Sequence, residues 1–151
     1  MQLQLLDRYK RSGFTIIELI LSVGVLSILL MITVPLTQRY ITRNNIDVSA
    51  NVVVQDLYRA QNLARSGENN GNWGVRVQNG SATVFQGDSY ASRNQAKDES
   101  YSFASSIIVT GQNEYVFNKF SGKPVSSGST TLTIKNDTKL ISVSSDGVIE
   151  Y

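Results

Sequence analysis

The chain has 151 residues, a length that suits one ordinary domain plus a tail or anchor. Charged residues make up 17% and apolar residues 41%, a balance that points away from disordered, collagen-like and coiled-coil proteins. It contains neither Cys nor His, which excludes disulfide scaffolds, thiolate metal sites, thiol nucleophiles and Ser-His-Asp chemistry. An enzyme is therefore not expected, and no cofactor is implied.

The net charge of +2 sits at the amino terminus, where Arg8, Lys10 and Arg11 face only Asp7. Without those residues the chain carries 11 basic and 11 acidic side chains, so its body is neutral. A nucleic-acid partner is not expected of a neutral body, because phosphate binding draws on a basic excess.

From Phe14 to Leu36 runs an apolar stretch, FTIIELILSVGVLSILLMITVPL. At about 1.5 Å per residue it reaches roughly 34 Å as a helix, enough to span a bilayer's hydrocarbon core. The basic flank predicts that Met1 to Gly13 stays in the cytoplasm and that the rest is sent outward. A cleaved secretory signal is the rival, but this stretch exceeds its usual ~7–15 apolar residues and is followed by Thr37-Gln38-Arg39-Tyr40. Glu18 is out of place in it. A carboxylate there needs either a place near the interface, where it can snorkel, or a partner. Gly24 reads as a close-packing position, and Pro35 removes a backbone donor and should bend the helix.

The residues Lys10-Arg11-Ser12-Gly13 followed by Phe14-Thr15-Ile16-Ile17-Glu18-Leu19 resemble the class III signal of type IV pilins and pseudopilins. The resemblance implies that a prepilin peptidase cuts between Gly13 and Phe14 and that the amine of Phe14 is methylated. It also implies that Glu18, fifth in the mature chain, is an assembly residue, and that Pro35 lends flexibility during assembly. A free amine on Phe14 would be largely cationic, with a reference pKa of about 7.7–8.0, and Glu18 of one copy could meet the amine of a neighbour. Such a pair would favour one axial register.

Past Leu36 the helical pattern continues. Ile46, Ala50, Val53, Leu57, Ala60 and Ala64 form one apolar stripe, and the signal stops at Arg65-Ser66-Gly67. Too few clean heptads favour a coiled-coil seam, so the stripe is expected to pack on a sheet. A continuous helix from Phe14 to Arg65 would be about 78 Å long.

Beyond Gly67 come β-prone runs. Trp73–Val77 and Ala82–Phe85 flank Asn79-Gly80, a strong hairpin signal. Residues 87–99 read as an exposed polar loop. Further strands are expected at Tyr101–Val109, Glu114–Asn118, Thr130–Lys135, Leu140–Ser144 and Val148–Tyr151, with turns at Asn136-Asp137 and Asp146-Gly147. Trp73 and Phe85, across the hairpin, are expected to serve core or cross-strand packing rather than to form a ligand platform. Phe120 to Pro124 reads as a loop with a turn. Asp88, Asp98, Glu99 and Glu114 form no EF-hand spacing, and no metal site is expected.

The expected architecture is α+β: a cytoplasmic leader at 1–13, a transmembrane and assembly helix at 14–36, an amphipathic helix at 37–66, and a β-rich antiparallel domain at 67–151. The run Asp56 to Gly67 resembles the end of the long helix in H-type pseudopilins of type II secretion and in FimT-type minor pilins. The resemblance implies a structural subunit whose partners are the peptidase, other pilin subunits, an inner-membrane assembly platform and, before assembly, membrane lipid. It places the chain in the cytoplasmic membrane and then in a pilus or pseudopilus. Some FimT-type pilins bind DNA through a basic carboxyl-terminal region. Here the end is Asp146 to Tyr151, with Lys135 and Lys139 the nearest cations, so that property is not expected. The alternative is a membrane-anchored outer binding module, for instance for DNA during uptake, that does not polymerise.

Overall fold

The computed structural model describes residues 13–151, and within that range it leaves the side chains of residues 32–39 undescribed. The chain divides into two compact units, Met1–Arg39 and Tyr40–Tyr151, which are taken separately below. Among the described residues there is one α-helix, α1, which spans Ile16–Ser66 and enters both.

In the first unit the described side chains of α1 are almost all apolar and all exposed, from Phe14 (85%) to Met31 (77%). Two hydroxyls in this stretch are satisfied inside the helix: Ser22 Oγ donates to the Glu18 carbonyl at 2.7 Å and Ser27 Oγ to the Val23 carbonyl at 2.7 Å. Among the described residues no helix is long and apolar enough to cross a membrane. The span expected over 14–36 runs into residues 32–36, and the bend expected at Pro35 likewise falls on undescribed side chains.

In the second unit the predicted stripe is the buried face of α1. Ile46, Ala50, Val53, Leu57, Ala60 and Ala64 are each 2% exposed or less. They pack on two four-stranded antiparallel sheets, which confirms the α+β expectation and replaces the coiled-coil alternative. The first sheet has the order β3-β2-β1-β5, with β1 Trp73–Gln78, β2 Ser81–Gln86, β3 Glu99–Ser102 and β5 Glu114–Phe117. The second has the order β4-β6-β7-β8, with β4 Ile108–Gly111, β6 Gly128–Ile134, β7 Asp137–Val143 and β8 Ile149–Glu150.

The sheets meet through the β4–β5 connection. Gln112 N donates to the Ser129 carbonyl at 2.9 Å, the Thr130 hydroxyl donates to the Gln112 carbonyl, and Tyr115 and Thr130 share a hydroxyl contact of 2.8 Å. Val75, Val84, Ile107, Tyr115, Phe117, Leu132 and Ile141 complete one core with the helix stripe.

The end of α1 is closed from outside the helix. Gly67 takes a left-handed conformation (φ 69°), and the Phe120 N–H donates to the Ala64 carbonyl at 2.8 Å. Gln61, 3% exposed, donates from Nε2 to the carbonyls of Gly122 (3.1 Å) and Gly147 (2.7 Å). One helix side chain thus pins two β-loops whose carbonyls would otherwise be buried unpaired.

Three expectations need correction. The run Tyr101–Val109 is two strands in different sheets. The break falls at 103–107, where Phe103 N donates to the Gly80 carbonyl and Ile107 N to the Ala104 carbonyl, so the backbone bonds go to turns and not to a ladder. The turn expected at Asn136-Asp137 lies one residue earlier, at Lys135-Asn136, because Ile134 pairs with Asp137 and Lys135 takes φ 53°. Trp73 and Phe85 are both buried, as expected of core or cross-strand packing, but on different faces: Trp73 faces Gln86 on the helix side, whereas Phe85 faces Gly74 on the opposite surface of the sheet. Finally, residues 87–98 are no free loop. They fold over that opposite surface, where Tyr90 meets Phe85 edge-on at 5.6 Å and Arg93 stacks on Tyr90 at 3.7 Å.

Candidate processing and assembly site

Gly13, Phe14 and Thr15 are non-helical and exposed. Among the described residues nothing lies within 4 Å of a Cβ added to Gly13, so no crowding by them calls for glycine there. Phe14 is 85% exposed. The basic flank with Lys10 and Arg11 lies outside the described residues.

Helix α1 begins at once after Thr15, and the reason is local. Thr15 and Glu18 form a capping box, the T-x-x-E pattern that closes a helix amino terminus. Glu18 N donates to Thr15 Oγ1 at 3.4 Å, while Thr15 N (3.4 Å) and its hydroxyl (3.3 Å) donate to Glu18 Oε2. The carboxylate also sits where the helix dipole favours negative charge. The partner expected for Glu18 is the amine of another copy; the structure adds a local one, and Thr15-Ile16-Ile17-Glu18 carries the signal for it. Glu18 is exposed beyond these contacts. Replacing Thr15 by Ala should cost this terminus about 1 kcal/mol. Hydrogen exchange should then speed up at the amides of Ile17 and Glu18, and unchanged exchange there would show that the cap does not hold the helix start.

Gly24 lies inside the helix with nothing within 4 Å of an added Cβ. A mid-helix glycine costs about 1 kcal/mol relative to Ala, and no contact among the described residues offsets it.

Residues 8–34 match the family model described as the prokaryotic N-terminal methylation motif. The chain carries a type IV pilin-like prepilin motif. The matched range includes Gly13, Phe14, Glu18 and Gly24 and stops one residue before Pro35. The prepilin motif marks structural, not catalytic, proteins and implies processing by a prepilin peptidase and pilin assembly. No curated protein and no solved structure matches the chain.

The four acidic residues weighed as cation ligands are dispersed into separate contacts. Asp88 accepts from Asn72 (2.7 Å), Asp98 pairs with Arg93 (2.8 Å), Glu99 with Arg59 (2.5 Å) and Glu114 with Arg76 (3.1 Å). Among the described residues no group of three or more His, Cys, Asp or Glu is placed to hold a metal ion.

One titratable group escaped the sequence reading. Asp56, on α1, is 4% exposed, and its Oδ2 has no hydrogen-bond partner. Burial, reinforced by the negative charge of Glu99 and opposed by Arg59, pushes its carboxyl up to about 7. Glu99 is held below its ordinary range by a two-bond grip from Arg59 (Nε–Oε2 2.5 Å, Nη2–Oε1 2.7 Å), with the Tyr101 hydroxyl donating to it at 3.3 Å. In sequence Asp56 looks like one more polar residue beside the stripe. Only the docking of β3 on the helix shows that it is covered.

Proposed function

We propose that the chain is a minor pilin or pseudopilin: a structural subunit of a type IV pilus or a type II secretion-like filament, cut between Gly13 and Phe14 and methylated on the Phe14 amine. The observation that carries this reading is the match of residues 8–34 to the N-terminal methylation motif, which takes in Gly13 and Phe14 on exposed, non-helical backbone directly before a capped helix.

The helix after the cut fits burial among neighbours. Apart from Glu18, Ser22 and Ser27 its described side chains from Ile16 to Met31 are apolar, and all are uncovered; the two serines bond to its own carbonyls, and Gly24 lets another helix approach closely. Residues 1–13 then act as the leader, 14–36 as the anchoring and assembly helix, 37–66 as the amphipathic helix, and 67–151 as the displayed β-rich domain. The precursor lies in the cytoplasmic membrane with its amino terminus inside. The mature subunit is handed by an assembly platform to the filament. Glu18 leaves its contact with Thr15 in part to meet the new amine of a neighbouring Phe14, and Pro35 gives the helix its flexibility. The chain is the peptidase's substrate and performs no catalysis itself.

Intact mass of the full-length protein extracted from its host's membranes tests the reading. A chain beginning at Phe14 with one added methyl is expected. A mass that retains Met1 to Gly13 would overturn it in favour of an anchored binding module that never polymerises. In Gly13→Val, processing should fall by about tenfold or more, the scale of steric rejection of one or two methyl groups. The melting of the β-rich unit should not change, since a Cβ there touches nothing.

A further inference from the structure

Away from the Asn79-Gly80 turn, at the other end of the β1–β2 hairpin, three connections enclose a cleft of about 540 Å³. They are the segment leaving α1, the start of the 87–98 strap, and the residues after β5. The volume lies within the ~300–1,000 Å³ range of small-molecule sites, but the lining is not apolar as such sites usually are. It is made of the amides of Asn70, Asn72, Gln86 and Asn94 with Asp88 and Lys119, and Gly71 and Gly87 expose bare backbone between them.

Part of this set is locked in place and part is open. Asn72 is held on both sides, donating to Asp88 Oδ1 (2.7 Å) and accepting from Lys119 N (2.8 Å). Gln86 Nε2 donates to the Asn69 carbonyl (3.1 Å), Lys119 Nζ to Asn70 Oδ1 (2.9 Å), and Ala96 N to Asn94 Oδ1 (3.2 Å). These bonds orient the amides, and among the described residues Asp88 Oδ2, Gln86 Oε1 and the amino groups of Asn70 and Asn94 have no partner. Asn69 and Asn70 both stand in the left-handed region (φ 52° and 55°), and Gly87 takes φ 147°. Backbone held in such conformations around a cleft is a known companion of ligand sites.

The chemistry narrows the ligand. One carboxylate is too few for a cation site, and the single ammonium of Lys119 beside Asp88 is a poor match for phosphate. An apolar ligand would strand every amide unpaired. What fits is a neutral molecule rich in hydroxyls, because rigid amide and carboxylate groups present adjacent donors and acceptors to neighbouring hydroxyls on a ring. We propose that this cleft binds a neutral oligosaccharide, with Asp88 and Gln86 accepting from its hydroxyls and Asn70, Asn94 and Lys119 donating to them.

The test uses the full chain in phospholipid nanodiscs, which avoids glycoside detergents, titrated with maltotetraose, cellotetraose and tetra-N-acetylchitotetraose. Backbone amide shifts are followed by NMR. At least one sugar should produce saturable shifts at residues 70–72, 86–88, 94 and 119, with a Kd of about 1 mM or tighter. The double variant Asp88→Ala with Lys119→Met should weaken it about tenfold while the amide signals of core residues stay in place. No saturable shift up to about 10 mM of any of the three sugars would overturn the proposal. So would shifts that survive the double variant, or saturation by inorganic phosphate alone.

Discussion

Gly74→Ala should destabilise the β-rich unit by about 3 kcal/mol and lower its melting temperature by roughly 10–15 °C. A Cβ at this position would stand 2.5 Å from the Tyr115 carbonyl oxygen on the adjacent strand and 2.5 Å from Phe85 Cζ. One obstacle is backbone that the β1–β5 ladder holds in register, with Gly74 opposite Val116, and the other is a ring with no exposed surface. Neither can retreat cheaply. Phe85→Leu added to Gly74→Ala should recover only part of the loss, because shortening the ring leaves the carbonyl where it is. Thermal unfolding followed by circular dichroism reads both. A shift of less than about 2 °C would show that the strand gives way and that Phe85 does not depend on the glycine beneath it.

Asp56 should make the protein less stable as pH rises from about 4 to about 7. In the unfolded chain its carboxyl titrates near the ordinary 3.8, and in the folded protein it is pushed up to about 7. Between those values the folded state holds a proton that the unfolded state has released, so each pH unit costs up to about 1.4 kcal/mol and the window up to roughly 4 kcal/mol. Glu99 works in the opposite sense. Its folded carboxyl is lowered by Arg59, so its contribution is present above its unfolded pKa and is lost only in more acid solution. Urea unfolding between pH 5 and 8 therefore isolates Asp56. Asp56→Asn keeps the shape and removes the charge, and it should flatten the slope and leave the variant more stable than the parent at pH 8. An equal slope in parent and variant would place the pH dependence elsewhere.

The two effects differ in how far they could be foreseen. The capping box at Thr15 and Glu18, the stripe from Ile46 to Ala64, the stop at Gly67 and the Asn79-Gly80 hairpin all depend on residues within a few positions of one another. Their physics is written locally: a side chain one turn away, a helical period, a left-handed turn. The prepilin motif belongs to the same class, because a peptidase also reads a short contiguous stretch.

What escaped the sequence is what depends on residues brought together from far apart. The split of Tyr101–Val109 depends on where Phe103 finds a carbonyl, and that carbonyl belongs to Gly80 in the hairpin turn. Gln61 resembles any exposed helix glutamine until the loops at Gly122 and Gly147 close over it. Asp56 acquires its raised carboxyl only when folding buries it and β3 adds the negative charge of Glu99 beside it. The amide cleft likewise joins segments near residues 70, 90 and 119 that share no pattern. The sequence by itself thus determined the anchor motif, the helix stripe and the α+β class, since each rests on short-range periodicity and spacing. The tertiary structure alone decided which polar groups are covered, which strands share a sheet and where a cleft opens, because burial and strand partnership are set by non-local packing.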